Sequence, residues 1–209
     1  MDVWQIWRAN TESRHHLPKP FANQTHSWRS TVEERVSICE EQRTVCQHQY
    51  MPNGDGNGWV LCDRCKTRHW GLHGAAGLLL VRTDLEPACV LLQLRAAWTH
   101  GGGTWALPGG ALDSHETPVL AAAREAWEET GIDPEVLDFK AIYSDDHGNW
   151  RYDTVIAHAS SDVEAYEANA ESADLRWGPL DEVGYFDLHP GLRATWPELI
   201  EHVKASLQS

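Results

Sequence analysis

Glu125, Glu128 and Glu129 stand at i, i+3 and i+4, a spacing that turns three carboxylates onto one face of a helix. Such a row could hold a hard cation or act as a general base, and it is costly to build. Like charges one turn apart repel, and the last turns of a helix already carry the negative end of its dipole. Each effect costs roughly a few tenths of a kcal/mol or more. Taken alone, an acidic row reads as a solvated helix face, relaxed by water and by the adjacent Arg124. A local rule broken twice at one place nevertheless points to function.

A second group consists of Cys and His. Cys62-Asp63-Arg64-Cys65 has the spacing of a metal knuckle, and Cys46 and His48 lie upstream, across the turn-rich stretch Pro52-Asn53-Gly54-Asp55-Gly56-Asn57-Gly58. Those four could close a tetrahedral site for one structural Zn2+, with Cys39, His69 and His73 as competing ligands. The alternative is a loop with reduced, exposed thiols, but so turn-rich a segment has little core to hold it. Cys89 falls in an apolar run and reads as a small buried hydrophobe. His147, in a turn after the acidic helix, could touch a base or a phosphate, but a lone turn His more often reads as solvated. Gly101-Gly102-Gly103 lacks the Lys-Ser/Thr of a phosphate loop and reads as a flexible hairpin.

The elements that must carry these residues follow from pattern and punctuation. Thr117 and Pro118 start a helix as cap and first-turn residue, and Gly131 ends it just past the last turn. Within it Ala121, Ala122, Ala123 and Ala126 supply propensity, and Leu120 with Trp127 an apolar stripe. Apolar runs at 77–81 and 90–94 read as buried strands. Strands near 136–144 and 150–159 flank a turn at 146–149, and a strand near 175–177 precedes a closing helix near 193–206. The result is an α+β domain over residues 74–209. Ahead of it come a loop-built, zinc-ribbon-like module at 37–73 and an arm at 1–36, which carries Trp4, Trp7 and Trp28 without sustained periodicity.

The stretch around the acidic helix reads Gly110-Ala-Leu-Asp-Ser-His-Glu116-Thr-Pro-Val-Leu-Ala-Ala-Ala-Arg124-Glu125-Ala-Trp-Glu128-Glu129-Thr-Gly131-Ile132. It resembles the Nudix box: Gly, five residues, Glu, seven residues, Arg-Glu, an apolar residue, any residue, Glu-Glu, any residue, Gly and an apolar residue. Every signature position is filled. The preceding Trp105-Ala106-Leu107-Pro108-Gly109-Gly110 resembles the strand-to-loop entry of MutT-like members.

The resemblance implies a Nudix α/β/α sandwich with a mixed sheet and a pyrophosphohydrolase activity. It implies that Glu125, Glu128 and Glu129, with the Gly109 carbonyl, hold Mg2+ or Mn2+, for which oxygen ligands are suited. Arg124 and Glu116 would pair across the loop and, with Gly110 and Gly131, keep it in shape. The general base would be Glu128 or Glu129, or else Glu171, which stands just before a strand where some relatives carry an extra carboxylate. Many relatives dimerise, so a homodimer is among the states the resemblance allows, and the oligomeric state stays open. A zinc ribbon ahead of a Nudix domain is similar to the NADH pyrophosphatases, but their Ser-Gln-Pro-Trp-Pro-Phe-Pro run is absent here.

Composition bounds the partners. A chain of 209 residues has room for one full core and about 60 residues of accessory module. A formal charge of −14 argues against a duplex nucleic-acid partner. It leaves a phosphorylated small molecule dependent on metal ions or a local basic patch. No apolar run is long enough to span a bilayer, and Met1-Asp2-Val3-Trp4-Gln5 does not look like a secretory signal, so the expectation is a cytoplasmic protein without a membrane partner. The 11 Trp read chiefly as core and surface anchors. The leading function is hydrolysis of a nucleoside triphosphate to a monophosphate and pyrophosphate. The alternatives are cleavage of a dinucleotide or nucleotide sugar of the NADH or ADP-ribose kind, and nucleotide sensing without turnover.

Overall fold

The computed structural model describes residues 54–159 and 163–208, all within the unit Thr44–Ser209. The arm at 1–36 and the candidate ligands Cys39, Cys46 and His48 lie outside the described residues. Strands β1 (Trp59–Leu61) and β2 (Arg68–Trp70) form a small antiparallel hairpin. A seven-stranded sheet follows, built from β3 (Ala75–Arg82), β4 (Cys89–Arg95), β5 (Trp105–Ala106), β6 (Gly109–Ala111), β7 (Leu137–Asp146), β8 (Arg151–Ala159) and β9 (Ser172–Pro179). Helix α1 (Pro118–Thr130) lies between β6 and β7, and α2 (Pro190–Ser206) closes the described chain.

The sheet is mixed: β3 and β8 run parallel, and every other pair is antiparallel. Strand β3 shows how the layers arise. Its side chains alternate between faces, so Ala76, Leu78 and Leu80 join one core and Leu79 and Val81 the other. The first core packs under α1 through Ala121, Ala122 and Ala126, the second under α2 through Trp196, Leu199 and Val203. Both faces being covered explains why β3 and β4 read as unbroken apolar runs. The α+β class and the α/β/α layering are those read from the sequence. Among the described residues, no helix is long and apolar enough to cross a membrane.

One register detail positions the site. Strands β3 and β4 pair only through Val81–Val90 and Arg82–Cys89. Beyond that point β4 pairs with β5 and β3 with β6, so residues 105–111 bridge the two strands. The loop at 54–58 is fastened to the chain after β6: Gly54 and Gly56 donate N–H groups to the Asp113 carboxylate at 3.0 and 2.9 Å, and Asp55 accepts from Ser114 N and Oγ at 2.9 and 2.6 Å.

Helix α1 keeps the caps read for it. Thr117 Oγ1 accepts from Leu120 N at 3.3 Å, and Gly131, at φ 69°, donates its N–H to Trp127 O at 2.9 Å. Its buried face differs from the expectation. Trp127 is 47 % exposed and Leu120 only partly buried, while the alanines are fully buried. A helix set close over a sheet accommodates small side chains on the facing side, and the large ones are left to the flanks. The closing helix begins at Pro190, three residues earlier than its apolar pattern suggests, with His189 as its cap.

Candidate active site

Arg124 organises the acidic helix. Its Nε and Nη2 donate to Glu116 Oε1 and Oε2 at 2.7 and 2.9 Å, a bidentate pair with both side chains buried. Nη2 also donates to the Ala111 carbonyl at 3.0 Å, and Nη1 reaches Glu125 Oε1 at 2.8 Å and Glu128 Oε2 at 3.4 Å. Glu116 in turn accepts the Asp113 N–H at 3.0 Å, closing the loop over the helix. Glu129 is 2 % exposed, and its Oε2 accepts the Gly109 N–H at 2.9 Å. The Glu125 carboxylate lies where a side chain on residue 110 would begin, so glycine at Gly110 leaves room for it to stay where it is. The row is therefore not the water-relaxed surface that an isolated acidic stretch suggests.

Three carboxylates, of Glu116, Glu125 and Glu128, thus surround one guanidinium, and Glu129 is held instead by the Gly109 N–H. Burial pushes the Glu129 carboxyl up to about 8, reinforced by the charge of Glu125. Burial likewise raises Glu125 to about 7 against the pull of Arg124, and raises Glu128 above the ordinary range. An all-oxygen cluster with surplus negative charge suits a hard divalent cation. Behind Glu129, buried Gln93 donates from Nε2 to Ser172 Oγ at 2.9 Å, and Ser172 Oγ donates to the Glu129 backbone carbonyl at 3.1 Å.

The cluster opens into a cavity of about 960 Å3, lined by Gly109, Gly110, Arg124, Glu125 and Glu128. Glu171 is exposed on its wall. The same wall carries residues not singled out in the sequence. Arg68 and Arg95 supply positive charge, and Trp59, Trp70, Trp98 and Trp150 supply aromatic surface. These tryptophans are not mainly core anchors: Trp59, Trp70 and Trp98 are 44, 40 and 68 % exposed. Composition could flag the surplus of Trp, but not that four of them meet from distant parts of the chain.

Among the described residues, a Cys and His group forms around the Cys62–Cys65 knuckle; the expected ligands Cys46 and His48 lie outside the described residues. Cys62, Cys65, His69 and His147 offer ligand atoms all within 4.8 Å of one another. His69 was a competing candidate, whereas His147, read as solvated, is partly buried against Cys62. His73 is not in this group. The Cys65 thiol is lowered to about 5, first by hydrogen bonds from Thr67 and then by His69 and Cys62. Cys89 is buried, as its apolar strand implies.

Comparison with known proteins agrees with this architecture. Residues 71–199 match the model of the NUDIX domain. The chain belongs to the Nudix family. The Nudix chain is 49 % identical over 154 residues to a Mycobacterium tuberculosis protein provisionally named 8-oxo-dGTP diphosphatase 3, an alignment covering 70 % of each chain. It is 41 % identical over 147 residues to a Bifidobacterium longum nucleoside triphosphate pyrophosphatase/Nudix hydrolase fusion protein, covering 68 % of this chain and 30 % of that one. The crystal structure of the Nudix hydrolase RenU from M. smegmatis superposes with a TM-score of 0.66 at 46 % identity, covering 72 % of this chain and 96 % of RenU. The protein is a Nudix pyrophosphohydrolase.

Proposed function

We propose that this Nudix enzyme hydrolyses a nucleoside triphosphate to a monophosphate and pyrophosphate, using Mg2+ or Mn2+. Glu125, Glu128 and Glu129 are the side-chain ligands, with the Gly109 carbonyl as a backbone donor. The observation that carries this reading is the buried, charge-surplus carboxylate cluster opening into a cavity walled by arginine and tryptophan. When bound, the cation neutralises phosphate charge and lowers the pKa of a coordinated water.

The protein supplies positioning and electrostatics. Arg124 and Glu116 fix the preceding loop against the helix from which Glu125 and Glu128 project. Arg68 and Arg95 meet the phosphates, giving an acidic protein the local basic patch it needs. The tryptophan wall stacks the base, an interaction open to any base because each has a π-face. Attack at phosphorus requires a carboxylate to take the water proton. Glu128 and Glu129 within the cluster and Glu171 on the wall are the candidates, and the pH profile of Glu171→Gln separates them. The name of the M. tuberculosis relative makes 8-oxo-dGTP the first substrate to test. The enzyme's setting is the cytoplasm, where nucleoside triphosphates and Mg2+ are abundant.

The test is a panel of nucleoside triphosphates, 8-oxo-dGTP, NADH and ADP-ribose incubated with Mg2+, with products separated by chromatography. Pyrophosphate release from a triphosphate supports the reading. Cleavage of NADH or ADP-ribose alone would replace it with the dinucleotide reading.

A further inference from the structure

The β1–β2 hairpin has little apolar surface to hold it. Its strands are three residues each, and Trp59, Leu61 and Trp70 are all substantially exposed. An isolated two-stranded hairpin of this size is marginal in water. It is fastened instead to the turn at 146–149. Asp63 N donates to Asn149 Oδ1 at 2.9 Å, Asn149 Nδ2 to Leu61 O at 3.0 Å, and Arg64 Nη1 to Asp146 O at 2.8 Å. At the centre of that seam sit two thiols and two imidazoles.

Their arrangement is that of a metal site. The N–H groups of Arg64 and Cys65 both point at Cys62 Sγ, each at 3.3 Å, as donors do around a thiolate. The turn is tightened by Lys66, at φ 61°, whose N–H donates to Cys62 O at 3.1 Å. His147 turns Nδ1 to within 3.6 Å of Cys62 Sγ, while its Nε2 lies 3.2 Å from Asp145 Oδ2. A carboxylate on the far ring nitrogen is the usual outer support of a metal-bound histidine. His69 Nε2 lies 3.0 Å from Cys65 Sγ, with its ring stacked on Trp150 at 4.1 Å. A tetrahedral zinc with bonds of about 2.0–2.3 Å separates its ligands by roughly 3.3–3.8 Å. Small side-chain rotations bring this set, already within 4.8 Å, to that spacing. Two sulfurs and two nitrogens select zinc over magnesium.

We propose that Cys62, Cys65, His69 and His147 together hold one Zn2+, which ties the β1–β2 hairpin to the turn at 146–149 and so fixes Trp59 and Trp70 on the cavity wall. Trp150 adds a second link, its Nε1 donating to Trp70 O at 3.2 Å. The zinc is structural: all four positions are filled by protein, with none open for substrate. His69 of the hairpin and His147 of the sheet domain stand in this set in place of the upstream pair Cys46 and His48, and His147 joins the knuckle to the hydrolase. The effect on the cavity rests on the hydrolase reading; the zinc site itself does not.

The experiment uses the full chain. Elemental analysis of purified protein should give about one zinc per chain. After metal removal under reducing conditions, added Co2+ should give the thiolate charge-transfer and intense visible bands of a tetrahedral site. His147→Ala and His69→Ala should each lose zinc, whereas Cys46→Ser and His48→Ala should retain it. A folded metal-free protein overturns the proposal, as does loss of zinc in Cys46→Ser or His48→Ala. If His147→Ala fails to fold, the other three variants still decide. For the cavity, Cys65→Ser is informative because Cys65 does not line it: KM should rise several-fold with little change in kcat. An unchanged KM after zinc loss refutes the clamp. If the wild type cleaves no diphosphate at all, the hydrolase reading fails while zinc content still tests the site.

Discussion

At the scale of single residues, the site is an imbalance of charge held together by one arginine. Arg124 is buried among Glu116, Glu125 and Glu128, and its removal leaves buried carboxylates without their partner. Losing one member of a buried ion pair costs about 3–5 kcal/mol. Arg124→Met should therefore lower unfolding stability by that order in urea titration; a variant as stable as the wild type would contradict the role given to Arg124. Glu128 is placed differently. Its side chain is 31 % exposed and meets Arg124 only at 3.4 Å. Glu128→Gln should keep the wild-type melting temperature within a few degrees and lose about 10²–10⁴-fold in kcat. Full activity in that variant would remove Glu128 from the site.

At the scale of elements, α1 is defined by its ends and its small face. Gly131 holds the left-handed position that closes the helix, where a side chain would also collide with the Tyr166 ring. Gly131→Ala should cost about 1 kcal/mol or more, read as a lower denaturation midpoint at unchanged slope; no shift would show that the cap is unimportant. This helix was legible in the sequence because Thr117, Pro118 and Gly131 punctuate it and the box spacing overlays it. The main strands were legible too, since burial on both faces writes itself as an apolar run. The β1–β2 hairpin was not, because three-residue strands with exposed tryptophans carry no period to detect. The cavity wall was hidden for a related reason. Trp59, Trp98 and Trp150 line one cavity from segments far apart in the sequence, and no local pattern marks such a meeting. His147 looked solitary for want of any sequence neighbour with which to ligate; only the fold sets it beside Cys62.

At the scale of the whole molecule, folding, protonation and metal binding are linked. Glu125 and Glu129 titrate near 7 and 8 in the folded protein, above the ordinary 4.5. The folded state therefore keeps protons that the unfolded chain has lost, and the metal-free protein loses stability as pH rises from about 4.5 through about 8. A divalent cation offsets that loss by binding the deprotonated form. Mg2+ should thus raise the melting temperature clearly at about pH 8.5 and little at about pH 5.5, with proton release on binding. An equal shift at both pH values would show that these two carboxylates are not its ligands.

In the proposed reaction the carboxylate cluster of this Nudix enzyme, loaded with Mg2+, would split a nucleoside triphosphate into a monophosphate and pyrophosphate. The most direct test is product analysis of 8-oxo-dGTP and the ordinary triphosphates incubated with wild-type protein and with Glu128→Gln, each with Mg2+ and with a chelator. Monophosphate and pyrophosphate are expected from at least one triphosphate with wild type and Mg2+ only. Phosphate released one group at a time, or equal turnover by the folded Glu128→Gln variant, would contradict it.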